Sequence, residues 1–145
     1  MQDKHKQICS YIEGIAPELL DLSDAIFDNP ELGLQEHFAS GKLCDYLEKT
    51  GFAVERGVAD IETAFRATWE NGTGGPSIGL LCEYDALEGI GHACGHHTQG
   101  PCILAAAAAL KQFAGDTPFK VVVYGTPAEE SCASKVAMLE RGWFQ

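Results

Sequence analysis

Residues 77–124 read SIGLLCEYDALEGIGHACGHHTQGPCILAAAAALKQFAGDTPFKVVVY. The segments 77–82 and 119–124 have the length and apolar composition of buried β-strands. Between them, residues 101–113 are predicted to form a helix, because the proline suits a first-turn position and residues 105–109 are all alanine. A strand, a crossover helix and a second strand form a βαβ unit with parallel strands. The sequence therefore predicts an α/β fold with a mixed, partly parallel sheet flanked by helices.

The N-terminal residues predict helices. Apolar side chains recur at helical spacing through residues 8–27, where Pro17 is expected to begin a second helical segment, and this stretch ends at Asn29-Pro30. A further helix is predicted over residues 36–49, with Gly51 as its stop signal.

A third strand is predicted ahead of the βαβ unit, over residues 63–69. The segment 71–76 reads NGTGGP, a composition typical of a turn. This turn predicts a hairpin between the strand at 63–69 and the strand at 77–82.

Charge and cysteine content narrow the class of protein. Ten Lys and Arg against 21 Asp and Glu give a formal net charge of -11, which repels phosphate backbones and anionic lipids, so we expect no nucleic-acid and no membrane partner. Residues 102–110 are about half of the ~20 apolar residues that a spanning helix needs, and residues 1–10 are too polar for a signal peptide. The six cysteines form no Cys-x-x-Cys pair and are expected to be reduced. We therefore predict a cytoplasmic protein.

Most residues that can bind a metal or move a proton follow the ends of two predicted strands. In open α/β sheets, ligands bind beyond the carboxyl ends of the strands. After strand 77–82 and strand 119–124 come, in chain order, Glu83, Asp85, His92, Cys94, His96, His97, Glu129 and Glu130.

Cys94 and His96 are the predicted metal ligands. Thiolate and imidazole suit Zn²⁺ and similar ions, and coordination would hold the thiol deprotonated. Their spacing through Gly95 is expected to point both side chains to one side of an extended segment. The helix that follows is expected to begin near Gly100, with its positive end close to the site. A structural zinc site is disfavoured because no second Cys-x-x-Cys or Cys-x-His pair completes four ligands.

Glu129 and Glu130 are adjacent carboxylates after Pro127. In an irregular segment neighbouring side chains point in different directions, so one glutamate can bind metal while the other acts as a general base. Residue types alone do not decide which is which.

Five motifs together resemble one family of enzymes. They are PELG at 30–33, TAF at 63–65, EYDAL at 83–87, GIGHACGH at 89–96 and GTPAEE at 125–130. In order and spacing they resemble the aminoacylase and carboxypeptidase-like dinuclear metallopeptidases, in the amidohydrolase branch that includes aminobenzoyl-glutamate, hippurate and auxin-conjugate hydrolases. The match covers almost the whole chain.

The resemblance implies a zinc-exopeptidase-like catalytic domain. It further implies hydrolysis of an amide or peptide bond in a small N-acyl amino acid or dipeptide, by water activated between two divalent ions, Zn or Mn. Carried over, Cys94, His96 and Glu130 look like metal ligands and Glu129 like the proton shuttle. Asp85 looks like a residue that orients a ligand without binding the metal.

The chain departs from the family pattern at several positions. His97 stands where Asp or Asn is common and is either a spare ligand or a substrate contact, and residues 131–134 replace a glycine run. Glu83 stands where many relatives have a His ligand, as is typical of this branch. Relatives continue with further His ligands, a carboxylate clamp and a lid or dimerisation domain. Residues 1–145 are therefore expected to be the N-terminal part of the catalytic domain, truncated at the C-terminus.

Three readings of the chain stay open at this point. One is an amidohydrolase that carries part of the site, so that the isolated chain is inactive. Another is a non-catalytic remnant or interaction module that retains the fold and at most one metal. A thiol hydrolase based on Cys94 and His96 is disfavoured, because no third orienting group or oxyanion site is evident. Missing strands would expose the sheet edge and a face of helix 101–113, which favours a homo-oligomer.

Overall fold

A four-stranded mixed sheet forms the centre of the computed structural model, which describes residues 2–144. The helices are α1 (Gln2–Asp28), α2 (His37–Lys49), α3 (His96–Gln112) and α4 (Ser134–Glu140). The strands are β1 (Ala53–Arg56), β2 (Phe65–Asn71), β3 (Ser77–Cys82) and β4 (Phe119–Gly125), and a short 3₁₀ turn spans Val58–Asp60. Within residues 2–144, no helix combines the length and apolarity needed to cross a bilayer.

The predicted βαβ unit is confirmed. β3 and β4 are parallel neighbours, with Cys82 opposite Gly125, and α3 connects them. The helix begins at His96, however, and not near Gly100, because Gly95 adopts a left-handed conformation (φ +85°) that starts the helix earlier. Gly100 then allows α3 to approach α2 closely, since a β-carbon there would lie 2.7 Å from a methyl group of Leu43.

The predicted hairpin is wrong. The strand order is β1-β2-β4-β3, so that β4 lies between the two strands expected to pair, antiparallel to β2. β4 is buried along nearly its whole length, and a strand that is apolar on both faces belongs in the sheet interior. The glycine-rich turn instead crosses the start of β4, where the Lys120 amide donates to the carbonyl of Pro76 at 2.9 Å.

Alternate residues of β4 enter two separate cores. Val121 and Val123 join the large core beneath α1, α2 and α3, whereas Val122 and Tyr124 face Met138 of α4. This alternation follows from the two-residue period of a strand. The sheet therefore has helices on both faces.

Pro17 does not begin a second segment, because α1 is one continuous helix through it. Glu13, Gly14 and Pro17 are exposed, so the backbone group that proline leaves unpaired is hydrated. The apolar side of α1, including Leu19 and Ile26, packs in the large core together with α3. The expectation that helix 101–113 has an uncovered apolar face is therefore wrong.

Candidate metal centre

Two loops meet at the carboxyl ends of the parallel strands β3 and β4. One follows Cys82 and the other follows Gly125, and these two residues are opposite each other in the sheet. Thr126 links the loops at their roots, because its amide and its hydroxyl both donate to the carbonyl of Cys82, at 2.8 and 3.0 Å. The residue types singled out in the sequence therefore meet at one edge.

The Asp85 carboxylate ties the two loops together. Its side chain is buried, with a residue exposure of 1%. One oxygen lies 3.0 Å from Nδ1 of His96, and the other accepts the backbone N–H of Glu130 at 2.9 Å. A single buried carboxylate thus contacts the imidazole of one loop and the backbone of the other.

The same contacts determine which His96 nitrogen is free. Nδ1 faces both the carboxylate and the backbone carbonyl of Asp85 at 3.0 Å, and since both are acceptors, Nδ1 carries the proton. Nε2 points to Glu83 Oε2 at 3.2 Å and to Glu130 Oε1 at 3.8 Å. The ring therefore offers one nitrogen to an ion.

Cys94, His96 and Glu130 come together as a candidate ligand set. Their donor atoms all lie within 4.8 Å of one another. The backbone between Cys94 and His96 is not extended, although an extended segment was expected. Gly95 is left-handed and His96 is the first residue of α3, while Cys94 is exposed. Thiolate, imidazole and carboxylate are suitable donors for Zn²⁺ and related ions, so these residues fit a divalent metal.

The surroundings of Cys94 favour the protonated thiol over the thiolate. A hydrogen bond to Glu130 raises the pKa of the thiol, and the surrounding carboxylates add to that shift. A divalent ion reverses this balance by stabilising the thiolate. A free nucleophilic thiol is accordingly disfavoured, since the thiolate is the reactive form.

Glu129 belongs to a second set of donors. Its carboxylate lies within 4.8 Å of donor atoms of Glu83 and His96. The adjacent glutamates therefore face different sets, with Glu129 half-buried and Glu130 exposed. This arrangement is the divergence expected for neighbouring residues in an irregular segment.

Glu83 stands where many relatives have a His ligand and was only a possible additional ligand from the sequence, and it lies inside the site. Lys135 Nζ forms an ion pair with Oε1, and the Gln99 amide donates to Oε2 at 3.0 Å. Burial opposes ionisation of Glu83, but the hydrogen bonds from Lys135 and Gln99 outweigh it, so the pKa of the carboxyl lies below its ordinary value. Its position two residues before Asp85 was the only sequence signal.

The PELG motif supports the site without entering it. The Glu31 carboxylate accepts the N–H groups of Phe38 and Ala39, both at 2.9 Å, and thereby satisfies unpaired donors at the start of α2. Its backbone carbonyl accepts the amide of Ala86 at 2.8 Å, directly after Asp85. Gly33 lies so close to Ser131 that a β-carbon would overlap it.

Glu36 supports the loop that follows β4 through a buried hydrogen bond. It is fully buried, its Oε1 accepts the N–H of Ala128 at 2.7 Å, and its Oε2 accepts the Thr63 hydroxyl at 2.9 Å. Ala128 has a positive φ of +56°, an uncommon conformation for alanine, immediately before Glu129. Desolvation raises the pKa of Glu36. Sequence patterns gave no sign of this contact.

His97 takes part in neither donor set within residues 2–144. Its ring contacts those of Phe27 and His92, with centroid separations of 4.9 and 5.4 Å. His92 is buried, and among the described residues neither of its ring nitrogens has a hydrogen-bond partner. Burial lowers the pKa of His92, with a contribution from His97.

Comparison with known proteins identifies relatives of this chain. No protein-family model matches the chain. It is 41% identical to the Xaa-Arg dipeptidase of Mus musculus, over 92% of this chain and 34% of that protein. It is 36% identical to a component of the p-aminobenzoyl-glutamate hydrolase of Escherichia coli K12, over 99% of this chain and 34% of that protein. The chain is a homologue of these amidohydrolases.

Solved structures share the fold of this amidohydrolase homologue. A dinuclear metal-binding peptidase of the M20 family from Bacillus subtilis has a TM-score of 0.81 at 24% identity, covering 92% of this chain and 41% of that chain. A putative aminohydrolase from methicillin-resistant Staphylococcus aureus has a TM-score of 0.82 at 22% identity, covering 94% of this chain and 39% of that chain. The family resemblance and the mixed α/β class are thus confirmed. The homologue spans about a third of the length of the curated relatives named above.

A cleft of about 520 Å³ opens beside the candidate ligands of the amidohydrolase homologue. Asp85 and Glu130 form its polar wall. Its apolar lining includes Leu32, Leu87 and Ile90, of which Ile90 is 65% exposed. A volume of this size can hold a small ligand beside the loops.

Proposed function

We propose that this protein takes part in metal-dependent hydrolysis of an amide or peptide bond in an N-acyl amino acid or dipeptide-like substrate. In this proposal Cys94, His96 and Glu130 bind a divalent ion, and Glu129 moves the proton. The observation that carries the proposal is the Asp85 carboxylate, which joins His96 of one loop to the Glu130 amide of the other. The names of the homologues, a dipeptidase and an aminobenzoyl-glutamate hydrolase, support the substrate class.

A bound divalent ion would supply Lewis acidity, which stabilises negative charge that develops on the substrate oxygen. Asp85 keeps the proton on Nδ1 of His96 and so keeps Nε2 available. Glu129 takes a proton from the attacking water and returns it to the leaving nitrogen, the usual work of a general base and acid. The cleft beside Asp85 accommodates the acyl or amino-acid group.

We further propose two divalent ions for the complete site, with Zn or Mn as the metals. The dinuclear neighbour supports the number, and Cys94, His96 and Glu130 offer one of the two positions on this chain. The remaining ligands and the carboxylate clamp then come from segments outside these residues or from a second copy in a homo-oligomer. The proposed location is cytoplasmic, which the six free cysteines support.

The test separates metal binding from turnover. Zinc content of Cys94→Ser and His96→Ala should fall below that of the parent, measured by elemental analysis. In the shortest form of the protein that hydrolyses N-acyl amino acids or dipeptides, Glu129→Gln should retain zinc and lose roughly 10²–10⁴ in turnover. Glu62→Gln, at an exposed glutamate, is the matched control.

Each outcome decides between the readings of the chain. Equal zinc loss in Glu129→Gln and Glu130→Gln would contradict the division of labour. We expect no amidase activity from residues 1–145 alone, even with added Zn²⁺ or Mn²⁺. Zinc binding without turnover in any longer form would favour the non-catalytic alternative.

A further inference from the structure

We propose that Lys135 is a positioning residue that neutralises Glu83 and so keeps it from binding the ion, and thereby directs the ion to Cys94, His96 and Glu130 while Glu129 stays free. The inference rests on the proposed function, because it assigns the division between the two glutamates to a third residue. Its basis is the ion pair between Lys135 and Glu83, within the donor set that contains Glu129.

The two donor sets cannot both use His96. Nδ1 of the ring is occupied by Asp85, so that Nε2 alone is available. One nitrogen lone pair coordinates one ion. The set of Cys94 and Glu130 and the set of Glu83 and Glu129 therefore compete for the same imidazole.

By distance alone Glu83 would have the advantage, since its Oε2 lies 3.2 Å from Nε2 of His96 and Oε1 of Glu130 lies 3.8 Å from it. The other contacts of Glu83 oppose this. Its Oε1 is paired with the Lys135 ammonium, and its Oε2 accepts the Gln99 amide at 3.0 Å. Glu83 and Lys135 side chains are 18% and 32% exposed, whereas the surface pair of Glu18 and Lys49 is 51% and 64% exposed. Partial burial strengthens an ion pair and limits its screening by salt. Glu83 is thus already neutralised by a cation of the protein itself.

The position of Lys135 is fixed by the loop that carries the two glutamates. It is the second residue of α4, and the Ser134 hydroxyl before it donates to the carbonyl of Pro127. The amide of Ala133 donates to the carbonyl of Ala128 at 2.9 Å. Met138 of the same helix is fully buried against the sheet. The start of α4, which carries Lys135, is therefore fixed to the loop that carries Glu129 and Glu130.

Removal of this ammonium should change which ion the chain prefers. Glu83, Glu129 and His96 would then present two carboxylates and one imidazole, an oxygen-rich set that suits Mn²⁺. The other set contains a thiolate and suits Zn²⁺ or Co²⁺. Lys135 thus selects against an oxygen-preferring ion at Glu129.

The experiment titrates Mn²⁺ into Lys135→Met and the parent chain by electron paramagnetic resonance. Loss of a positive charge beside the carboxylates should tighten Mn²⁺ binding by about tenfold or more. Lys135→Arg should restore the parent affinity. Lys120→Met is the matched control, since Lys120 pairs with the exposed Glu70 at 3.6 Å. Glu83→Gln should cancel the gain in a Lys135→Met background, and alone it should leave zinc content unchanged.

Co²⁺ absorption separates this inference from the function on which it rests. The parent should show a thiolate-to-cobalt band that Cys94→Ser abolishes. A missing band would overturn the ligand assignment and the inference together. A normal band with unchanged Mn²⁺ affinity in folded Lys135→Met would overturn the inference alone, as would a gain that survives Glu83→Gln. If Lys135→Met does not fold, loss of zinc in Glu83→Gln has the same consequence, because it would make Glu83 a ligand.

Discussion

The two ends of the parallel pair β3 and β4 are held together by different chemistry. Where the strands begin, apart from the exposed ion pair of Lys120 and Glu70, the connecting segments are held by uncharged hydrogen bonds. The Asn71 amide donates to the carbonyls of Gly115 and Thr117 at 2.9 and 2.7 Å. Where the strands end, the acceptors are the carboxylates of Asp85 and Glu36, which bind backbone N–H groups of the Glu129 loop.

This difference agrees with the proposal that a cation binds where the strands end. Among the described residues, Asp85 and Glu36 are the two fully buried acidic side chains, and both lie at the end that carries the candidate ligands. A buried carboxylate loses its hydration, so an amide would fix a loop at lower cost. The negative field of two carboxylates, however, also attracts a cation. Stability alone does not account for their placement.

Asp85→Ala should have the largest effect, on both the unfolding free energy and the zinc affinity. It leaves His96 and the Glu130 amide without their buried partner, so unfolding free energy should fall by about 3–5 kcal/mol. Zinc affinity should fall about 10–100-fold, the usual effect of losing a residue that orients a ligand. Urea unfolding and zinc titration measure the two quantities.

Asn71→Ala, at the opposite end, is the control for Asp85→Ala. It removes two uncharged hydrogen bonds and should cost about 1–2 kcal/mol, with zinc affinity unchanged. Equal changes in zinc affinity for Asn71→Ala and Asp85→Ala would contradict the proposed contrast.

Gly75→Ala should have the next largest effect, at the uncharged end. Gly75 has φ +80°, and a β-carbon there would overlap the Pro118 carbonyl. Gly74 has nearly the same φ, +81°, but open space around it. We expect a loss of about 2–4 kcal/mol for Gly75→Ala and about 1 kcal/mol for Gly74→Ala, by thermal unfolding. Similar losses would show that the turn can move away from β4.

Glu36→Gln should have the smallest effect, and its sign depends on pH. Because burial raises the pKa of Glu36 above 4.5, the contribution of this group to stability is full below pH 4.5 and is lost as pH rises through the folded value. Glutamine keeps an acceptor for the Ala128 amide without that loss. At neutral pH the variant should match or exceed the parent by up to about 1 kcal/mol, and its stability relative to the parent should increase as pH rises.

Urea unfolding of Glu36→Gln and the parent at several pH values between about 4 and 7.5 is the measurement. A loss of stability in the variant relative to the parent as pH rises would contradict the assignment. Such a result would mean that the hydrogen bond from the Ala128 amide requires the charge of Glu36.

The local sequence pattern was enough to predict part of the fold. The strand at 77–82 was predicted to the residue, because its apolar run is bounded by proline and by polar loop residues. β1 was missed, since AVER is short and mostly exposed, and α4 was missed as well. The false hairpin came from treating neighbours in sequence as neighbours in the sheet.

Some residues of the candidate site could likewise be selected from sequence, and others could not. Cys94, His96 and the glutamate pair could be selected as candidates because their residue types are chemically distinctive and clustered in two short segments. Lys135 and Glu36 were not found, because their partners lie 52 and 92 residues away and become visible only in the folded chain. A glutamate or lysine that has no cluster around it carries no signal of burial in sequence.

The hydrogen bond between Glu36 and the Ala128 amide also bears on the order in which the molecule assembles. It closes a span of 92 residues, and contacts so distant in sequence form slowly because of the chain entropy that must first be lost. The turn that presents Glu129 should therefore be among the last parts to become native. The Ala128 amide proton would exchange with solvent until that moment, so its protection is a reporter of site assembly that needs no metal and no substrate.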